Sequence, residues 1–456
     1  MKDFETICAV STPAGVGGIA VIRISGKDVK TLCDKLLRNR KGERLGNSLK
    51  ADTARYCCFY DGEMLVDEVV ATFFASPHSY TGDDTVEISC HGSLYVQQKI
   101  LETLVKNGAR LAEAGEFTMR AFINGKLDLS QAEAVADLID SKSEAAHRIA
   151  INQMRGGFSK KLSQLRQQFV ELSALLELEL DFSDEDVEFA DRNNLKHLVQ
   201  SIEKEVESLV NSFREGNAIK NGVPVAIVGE PNAGKSTLLN ALLGDERAIV
   251  SDIPGTTRDT IEDTVVIDGI TFRFIDTAGI RNSNDPVEKM GIARSRKAIG
   301  SAEIVLVVGD SQKPTENMAT LLEEAKNEAK KCLLVVNKMD TSKAPKYGNI
   351  EPDSDCYWIS ALYGKGIEEL KQGLVSRVKI KGGENDVILT NVRHYEAMCK
   401  IIDTLKPVKE GLASGVAGDL LMVDIRQALY YIGLITGEVS SDEVLGTIFS
   451  RFCVGK

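Results

Sequence analysis

The stretch that most constrains this chain is Gly229-Glu230-Pro231-Asn232-Ala233-Gly234-Lys235-Ser236. An apolar run, Val223–Val228, leads into it and a helix-like run, Thr237–Leu243, leaves it, giving strand, glycine loop and helix in order. Such a loop wraps backbone N–H groups around phosphate oxygens at a helix N-terminus, where the helix dipole favours negative charge. Gly229 and Gly234 allow the tight turn, Lys235 is placed to reach the β- and γ-phosphates, and the Ser236 hydroxyl to ligate Mg²⁺. Asn232, Ala233, Gly234, Lys235, Ser236 and Thr237 are therefore the expected phosphate cradle.

Strand-like runs follow at Ile261–Ile267, Thr271–Ile275, Ile304–Val308, Cys332–Val336 and Tyr357–Ile359. Asp268-Gly269 makes a hairpin of the first two, so residues 217–380 read as a doubly wound α/β domain with one antiparallel edge. Ligands bind such sheets at the C-terminal strand ends, and the remaining signatures lie there. Asp276-Thr277-Ala278-Gly279 offers a carboxylate to Mg²⁺ through water and the Gly279 N–H to a γ-phosphate. Asn337-Lys338-Met339-Asp340 offers a carboxylate to the guanine N1–H and 2-amino group, and Ser360-Ala361 a backbone N–H to the guanine carbonyl. The expected ligand is GTP. Ile280 stands where Ras-like enzymes carry the glutamine that orients the attacking water. Something else must supply catalysis. Gly255-Thr256-Thr257-Arg258-Asp259 gives Thr257 as a second Mg²⁺ hydroxyl, and Asn232 offers an oxygen to a monovalent cation, with Arg258 a rival source of positive charge.

At 456 residues the chain is too long for one core. Acidic residues outnumber basic ones by 67 to 55, so a chain that coats nucleic acid by bulk attraction is excluded and any RNA contact needs a local basic patch or a partner protein. The cysteines are scattered without a Cys-x-x-Cys pair, which argues for reduced thiols and against a zinc site. Without an apolar leader or a spanning segment, a cytoplasmic protein is expected.

Residues 1–120 read as an α+β domain, with strands at Ile7–Val10, Ile19–Ile24, Tyr56–Tyr60, Val66–Phe74 and Val86–Cys90 and a helix at Ser93–Lys106. Thr12–Gly18 reads as a glycine-rich turn. Arg23 and Glu87 are isolated charges in apolar runs, as well suited to a solvated face as to a ligand, and His78 and His91 lack metal spacing. From Ser130 the pattern is helical. Leu162, Leu165, Phe169, Leu172, Leu175 and Leu176 form one stripe, and Leu195, Leu198, Ile202, Val206, Leu209 and Phe213 another. The acidic stretch from Glu177 to Glu188 between them reads as a solvated junction. Glu215-Gly216-Asn217 marks a boundary, so that 121–216 form one helical segment. After a linker at Lys381–Asp386, helix-like runs at Asn391–Leu405, Ala417–Tyr431 and Ser441–Phe449 make 381–456 a second. Local sequence leaves the last residues as a frayed end, and Gly455-Lys456 is a poor prenylation signal for Cys453.

The whole chain resembles the MnmE (TrmE) family of tRNA-modification GTPases. The resemblance rests on Thr12–Gly18 through Arg23-Ile24-Ser25-Gly26, on Gly125–Val135, on Gly229–Ser236, Gly255–Asp259 and Asp276–Gly279, and on Phe452–Lys456. Era-like ribosome-assembly GTPases share only the G-domain motifs. A regulatory GTPase of that class, without one-carbon chemistry, is the rival reading. The resemblance implies a folate-binding, dimerising N-terminal domain, a helical domain built from both flanks, and a P-loop G domain inserted between them. It implies a homodimer that works with the FAD-dependent protein MnmG on carbon 5 of the tRNA wobble uridine, drawing on 5-formyl- or methylene-tetrahydrofolate. Arg23, Glu87, Lys126 and Lys456 would contact the folate, and Cys453 would be a nucleophile or hydrogen-bond partner. Asn232 of the phosphate loop, with Ser251, Ile253 and Thr256 of the loop that also holds Asp252, Pro254 and Gly255, would bind K⁺. Glu288 would orient the attacking water, while Asn282 departs from the acidic residue expected there.

Overall fold

The computed structural model describes residues 5–45, 50–181, 192–244, 263–275, 297–311, 316–328, 330–340, 355–378, 387–450 and 452–455. They group into two compact units. One gathers Met1–Ile139, Ile151–Glu203 and Lys400–Lys456, the other Asp140–Ala150 and Lys204–Cys399.

The first unit is built on a seven-stranded sheet of order β3-β4-β5-β6-β2-β1-β7. Its strands are β1 (Ile7–Val10), β2 (Ile19–Ser25), β3 (Leu37–Arg38), β4 (Thr53–Asp61), β5 (Met64–Phe74), β6 (Thr85–His91) and β7 (Arg110–Leu111). Every pairing is antiparallel except β1 with β7. Alternation sorts the residues into two faces. Cys8, Ile22, Ile24, Phe59, Ala71, Phe73, Val86 and Ile88 point one way into a core. That core is closed by α1 (Val29–Leu36) and α2 (Leu94–Lys106). Ile7 and Ala9 point the other way, onto Phe117 of α3 (Glu116–Ile123). The five expected strands and the helix are present with slightly longer bounds. β3, β7, α1 and α3 are additional, and each is too short for a periodicity signal to rise above its surroundings.

The helices that follow are α4 (Leu129–Asp140), α5 (Glu144–Met154), α6 (Gly157–Asp181) and α7 (Arg192–Asn221). The α6 stripe buries Leu162, Leu165, Phe169, Leu172 and Leu176, with Leu175 half-buried. On α7 the buried line is Leu195, Val199, Ile202, Val206 and Leu209, so Val199 takes the position expected of Leu198. The helix does not stop at Gly216. It continues to Asn221 and ends before Gly222, at φ +80°. Gly216 is instead a point of close approach, where a Cβ would lie 2.1 Å from the Leu389 carbonyl oxygen.

A further helix, Val392–Ser414, runs through Pro407, beyond the Leu405 end expected from sequence. Buried Val408 and Leu412 extend the line of Met398, Ile401 and Leu405, and their burial outweighs the hydrogen bond that proline removes. In the first unit, helix Gly418–Thr436 packs on α6, and helix Asp442–Phe449 starts at Ser441, whose hydroxyl accepts from the Val444 N–H. Among the described residues no helix is long and apolar enough to cross a membrane. The expected Lys381–Asp386 linker and residues 182–188 of the acidic stretch lie outside the described residues.

The second unit carries a six-stranded sheet of order β13-β12-β11-β8-β10-β9. These are β8 (Val223–Gly229), β9 (Asp263–Ile267), β10 (Ile270–Ile275), β11 (Ile304–Asp310), β12 (Lys331–Asn337) and β13 (Cys356–Trp358). All pairings are parallel except β9 with β10, joined at Asp268-Gly269 with both residues at positive φ. Buried on both faces, the central strands read as continuous apolar runs, and separate clusters line the two sides.

Candidate functional site

The described residues expected to form the nucleotide site stand at or just beyond the C-terminal ends of β8, β12 and β13. Gly229 (φ +146°) ends β8, and a Cβ there would lie 2.1 Å from the Val308 carbonyl oxygen of β11. The loop then turns through Asn232 (φ +63°) and Gly234 (φ +90°) before α8 (Lys235–Leu243) begins. A Cβ at Gly234 would fall 2.3 Å from Asn337 Nδ2. Both glycines are thus required by neighbours as well as by backbone angle. Lys235 Nζ donates to the carbonyls of Gly229 (2.8 Å) and Glu230 (2.6 Å), folding its side chain back along the loop. Burial pushes its pKa down, against the nearby Glu230 charge. Ser236 and Thr237 follow in the first turn of α8.

Asn337 links this loop to the segments expected to recognise the base. It is 2% exposed. Its Nδ2 donates to the Ala233 carbonyl (3.0 Å), and its Oδ1 accepts from the N–H of Ala361 (3.0 Å) and of Lys338 (2.8 Å). Lys338 (φ +64°) pairs with Asp310 at 2.8 Å, and Ser311 Oγ donates to the Lys338 carbonyl. Ser360 donates its hydroxyl to Asp340, fixing that carboxylate beside Ser360-Ala361. Asp310 and Ser311 were not singled out from sequence, although an acidic and a hydroxyl residue closing an apolar run were a usable signal. Ser251, Asp252, Ile253, Pro254, Gly255, Thr256, Thr257, Arg258, Asp276, Thr277, Ala278, Gly279, Ile280, Asn282 and Glu288 lie outside the described residues.

A second constellation lies in the first unit, on the sheet face of Ile7 and Ala9. Arg23 and Glu87 are direct cross-strand partners on β2 and β6 and form an ion pair at 2.8 Å, with side chains 17% and 29% exposed. They are half-buried, and their Coulomb attraction is less screened than that of a surface pair. The Arg23 guanidinium also lies 4.9 Å from the centre of the Tyr80 ring, and Tyr80 shares a hydrogen bond with Thr118 of α3 (2.8 Å). Burial raises the Tyr80 pKa. Lys126 Nζ donates to the Pro77 carbonyl (3.0 Å), and Asn124 donates to Thr81 and Asp83, so the segment after α3 is tied to the loop that carries Tyr80. A lone aromatic in a polar loop gave Tyr80 no sequence signal.

The Thr12–Gly18 turn requires glycine on the segment facing it, because Gly17 and Gly92 touch and a Cβ on Gly92 would lie 2.3 Å from the Gly17 carbonyl oxygen. His91 bonds Asp67 (2.7 Å), an ordinary polar role, and among the described residues no acidic, histidine or cysteine cluster fits a metal.

The C-terminal residues are docked. Phe452 packs with Phe449, Leu129 and Ala132. Val454 makes an antiparallel bridge with Ala114, and the Gly455 carbonyl accepts from Ser11 Oγ (3.0 Å). Gly455 (φ +98°) approaches so closely that a Cβ would lie 2.2 Å from the Val10 carbonyl oxygen. Ser11 lies two residues beyond Ala9, the cross-strand partner of Arg23, so alternation puts the tail at the edge of the Arg23–Glu87 face. Cys453 is exposed, and Lys456 lies outside the described residues.

Two family profiles match the chain: "GTP-binding protein TrmE N-terminus" over residues 6–126 and "MnmE helical domain" over residues 129–453. Relatives named "tRNA modification GTPase MnmE" cover it from end to end. The one from Flavobacterium johnsoniae is 50% identical over 100% of both chains. That from Parabacteroides distasonis is 50% identical over 99% of this chain and 100% of its own. That from Porphyromonas gingivalis is 48% identical over 99% and 98%. With such matches along its whole length, the chain belongs to the MnmE (TrmE) family of tRNA modification GTPases.

Proposed function

We propose that this chain is a GTP hydrolase acting in tRNA modification, and that its hydrolysis cycle is potassium-dependent and serves folate-dependent chemistry at carbon 5 of the wobble uridine. The observation that carries the one-carbon half is the docking of Phe452–Gly455 at the edge of the sheet face holding Arg23–Glu87. A half-buried guanidinium–carboxylate pair offers donors and an acceptor to a polar heterocycle, and the tail carrying Cys453 is docked through Val454 and Gly455 at the edge of the same face. These residues fit 5-formyl- or methylene-tetrahydrofolate, with Arg23, Glu87, Lys126 and Lys456 as contacts and Cys453 as nucleophile or hydrogen-bond partner. The folate, when bound, supplies the one-carbon unit. The chain's own part is to orient it and to shield it from water.

In the nucleotide site Asn232, Ala233, Gly234, Lys235, Ser236 and Thr237 cradle the phosphates together with the 251–257 loop and Asp276–Gly279. Asn337, Lys338, Asp340, Ser360 and Ala361 select guanine. Ser236, the second residue of α8 and two beyond the left-handed Gly234, fits a Mg²⁺ ligand, with Thr257 as its companion. Asn232, held at φ +63° in the loop, fits a K⁺ ligand beside Ser251, Ile253 and Thr256. These cations, when bound, supply positive charge against the phosphates, the role Arg258 competes for. Glu288 orients the attacking water in place of the glutamine that Ile280 replaces, and Lys235 steadies the developing charge.

We further infer a four-part organisation: 1–120, 121–216, an inserted G domain at 217–380, and 381–456. The grouping of 151–203 with 400–456 in one unit supports it. The working form is a homodimer in the cytoplasm, partnered by MnmG and acting on tRNA. Reconstitution with MnmG, tRNA, folate and a glycine or ammonium donor tests the proposal by the modified nucleoside. A chain that hydrolyses GTP yet neither binds folate nor modifies tRNA is the regulatory, ribosome-assembly type of GTPase instead.

A further inference from the structure

The first unit carries a concentration of positive charge that none of the chemistry above uses. Between positions 38 and 55 stand six basic residues against two acidic ones, in a chain of net charge −12. Four of them, Arg38, Arg40, Lys41 and Arg44, stand at the end of β3 and on the hydrogen-bonded loop that follows it at the edge of the sheet, and Arg55 is on the adjacent β4. Asn39 Oδ1 accepts from the N–H of Lys41 (2.9 Å) and of Glu43 (3.0 Å), the Asn39 N–H donates to the Glu43 carbonyl, and Gly42 takes φ +81°. This tight loop is closed by an antiparallel bridge between Arg38 and Arg44. Arg40, Lys41, Arg44, Lys50 and Arg55 are all exposed.

Two aromatic rings lie beside the cations. The Arg40 guanidinium stands 4.8 Å from the Tyr56 ring centre and that of Arg38 stands 4.6 Å from Tyr60. Acidic neighbours are present but engaged: Glu63 pairs with Arg38, Glu68 accepts from the Tyr56 hydroxyl, and Glu43 accepts from Asn39 Nδ2. Like charges directly opposite in a strand pair are destabilising. Glu63 offsets the Arg38 charge, whereas Arg40, Lys41 and Arg44 stand exposed on the loop and are open to an external anion. Arginine and lysine on a firm edge, with exposed tyrosine alongside, is the chemistry of nucleic-acid backbone contact.

We propose that the edge formed by Arg38–Arg44, with Arg55 and Tyr56, is the surface that grips the tRNA phosphate backbone. This rests on the reading of the chain as a tRNA-modifying enzyme and adds where the tRNA lies. Phosphate contact there is independent of base sequence and holds the tRNA on the N-terminal sheet while chemistry proceeds elsewhere on the same unit.

The test uses the full chain and a tRNA transcript bearing a wobble uridine, with affinity measured over a series of salt concentrations. The triple variant Arg40→Gln, Lys41→Gln, Arg44→Gln should bind about tenfold or more weakly near 0.1 M salt, with a log–log salt slope shallower by about two to three, one unit or slightly less for each phosphate contact removed. Formyl-tetrahydrofolate binding and GTP turnover should be unchanged, which also reports that the variant is folded. Unaltered affinity and slope would overturn the proposal. So would a variant that keeps its tRNA affinity and loses only its complex with the FAD-dependent partner, since the edge would then be a protein-docking surface. If the unaltered chain binds and modifies tRNA in those cases, the enzymatic reading survives. A wild-type chain that neither binds nor modifies tRNA defeats both.

Discussion

Asn337 donates to the carbonyl of Ala233 at 3.0 Å, so the residue that heads the proposed guanine-recognition loop also holds the proposed phosphate loop in place. If the two loops act as proposed, base and phosphate recognition should rise and fall together, because one buried amide bonds both. Asn337→Ala leaves the Ala233 carbonyl and the Ala361 N–H without that partner, which costs about 1–3 kcal/mol for a buried group. Lower thermal stability and a parallel loss of GTP and GDP affinity are expected. A loss of affinity for one nucleotide alone would contradict the shared role.

Hydrolysis should depend on K⁺ more than on Na⁺ at matched ionic strength, because Ile280 cannot hold a water and the positive charge must come from elsewhere. The stimulation should approach that of an arginine finger, about 10³–10⁵. Asn232→Ala should abolish the preference with nucleotide affinity retained. Glu288→Ala should lower kcat about tenfold or more with little change in affinity, as expected of a water-positioning carboxylate. Equal rates in the two salts would remove the cation from the mechanism.

Tail docking should be separable from GTP chemistry. Gly455→Val introduces a Cβ 2.2 Å from the Val10 carbonyl oxygen at a φ of +98°. The tail should lift away, and tRNA modification should fall while K⁺-stimulated hydrolysis persists. Cys453→Ser leaves the tail docked and should also block modification if the thiol takes part. Modified nucleosides and released phosphate, measured on the same samples, decide between these outcomes.

Acid should weaken the first unit through Glu116, which is buried with Arg110 at 2.7 Å and Arg120 at 2.8 Å. Burial alone raises its pKa, but hydrogen bonds from Arg110, the Glu113 N–H and Arg120 outweigh it and hold the carboxyl below its ordinary value. A depressed native pKa contributes stability above the ordinary glutamate range, about pH 4. That contribution is lost as pH falls through the native value. Glu116→Gln strands the buried Arg120, while the more exposed Arg110 keeps Glu5, and should cost about 3 kcal/mol at neutral pH. Denaturant melts across pH 3–7 should show a shallower acid slope in the variant. An unchanged slope would assign the acid sensitivity to another group.

The sequence alone determined what local chemistry specifies. The phosphate loop between strand and helix, the Asp268-Gly269 hairpin and the 162–176 stripe are patterns of neighbouring residues, and the structure has each where the pattern lies. Tertiary structure decided whatever depends on residues distant in the chain. Gly216 reads as a helix stop, yet it admits the backbone of Leu389 within a continuous helix. The helix-like run reads as ending at Leu405, yet burial of Val408 and Leu412 carries the helix on through Pro407. Arg23 and Glu87 were two stray charges until strand pairing brought them face to face across β2 and β6. The last residues, frayed by any local criterion, are fixed by Ser11 and Ala114, more than three hundred positions away. Local propensity has no term for such contacts, because the energy that decides them comes from surfaces that only folding makes adjacent.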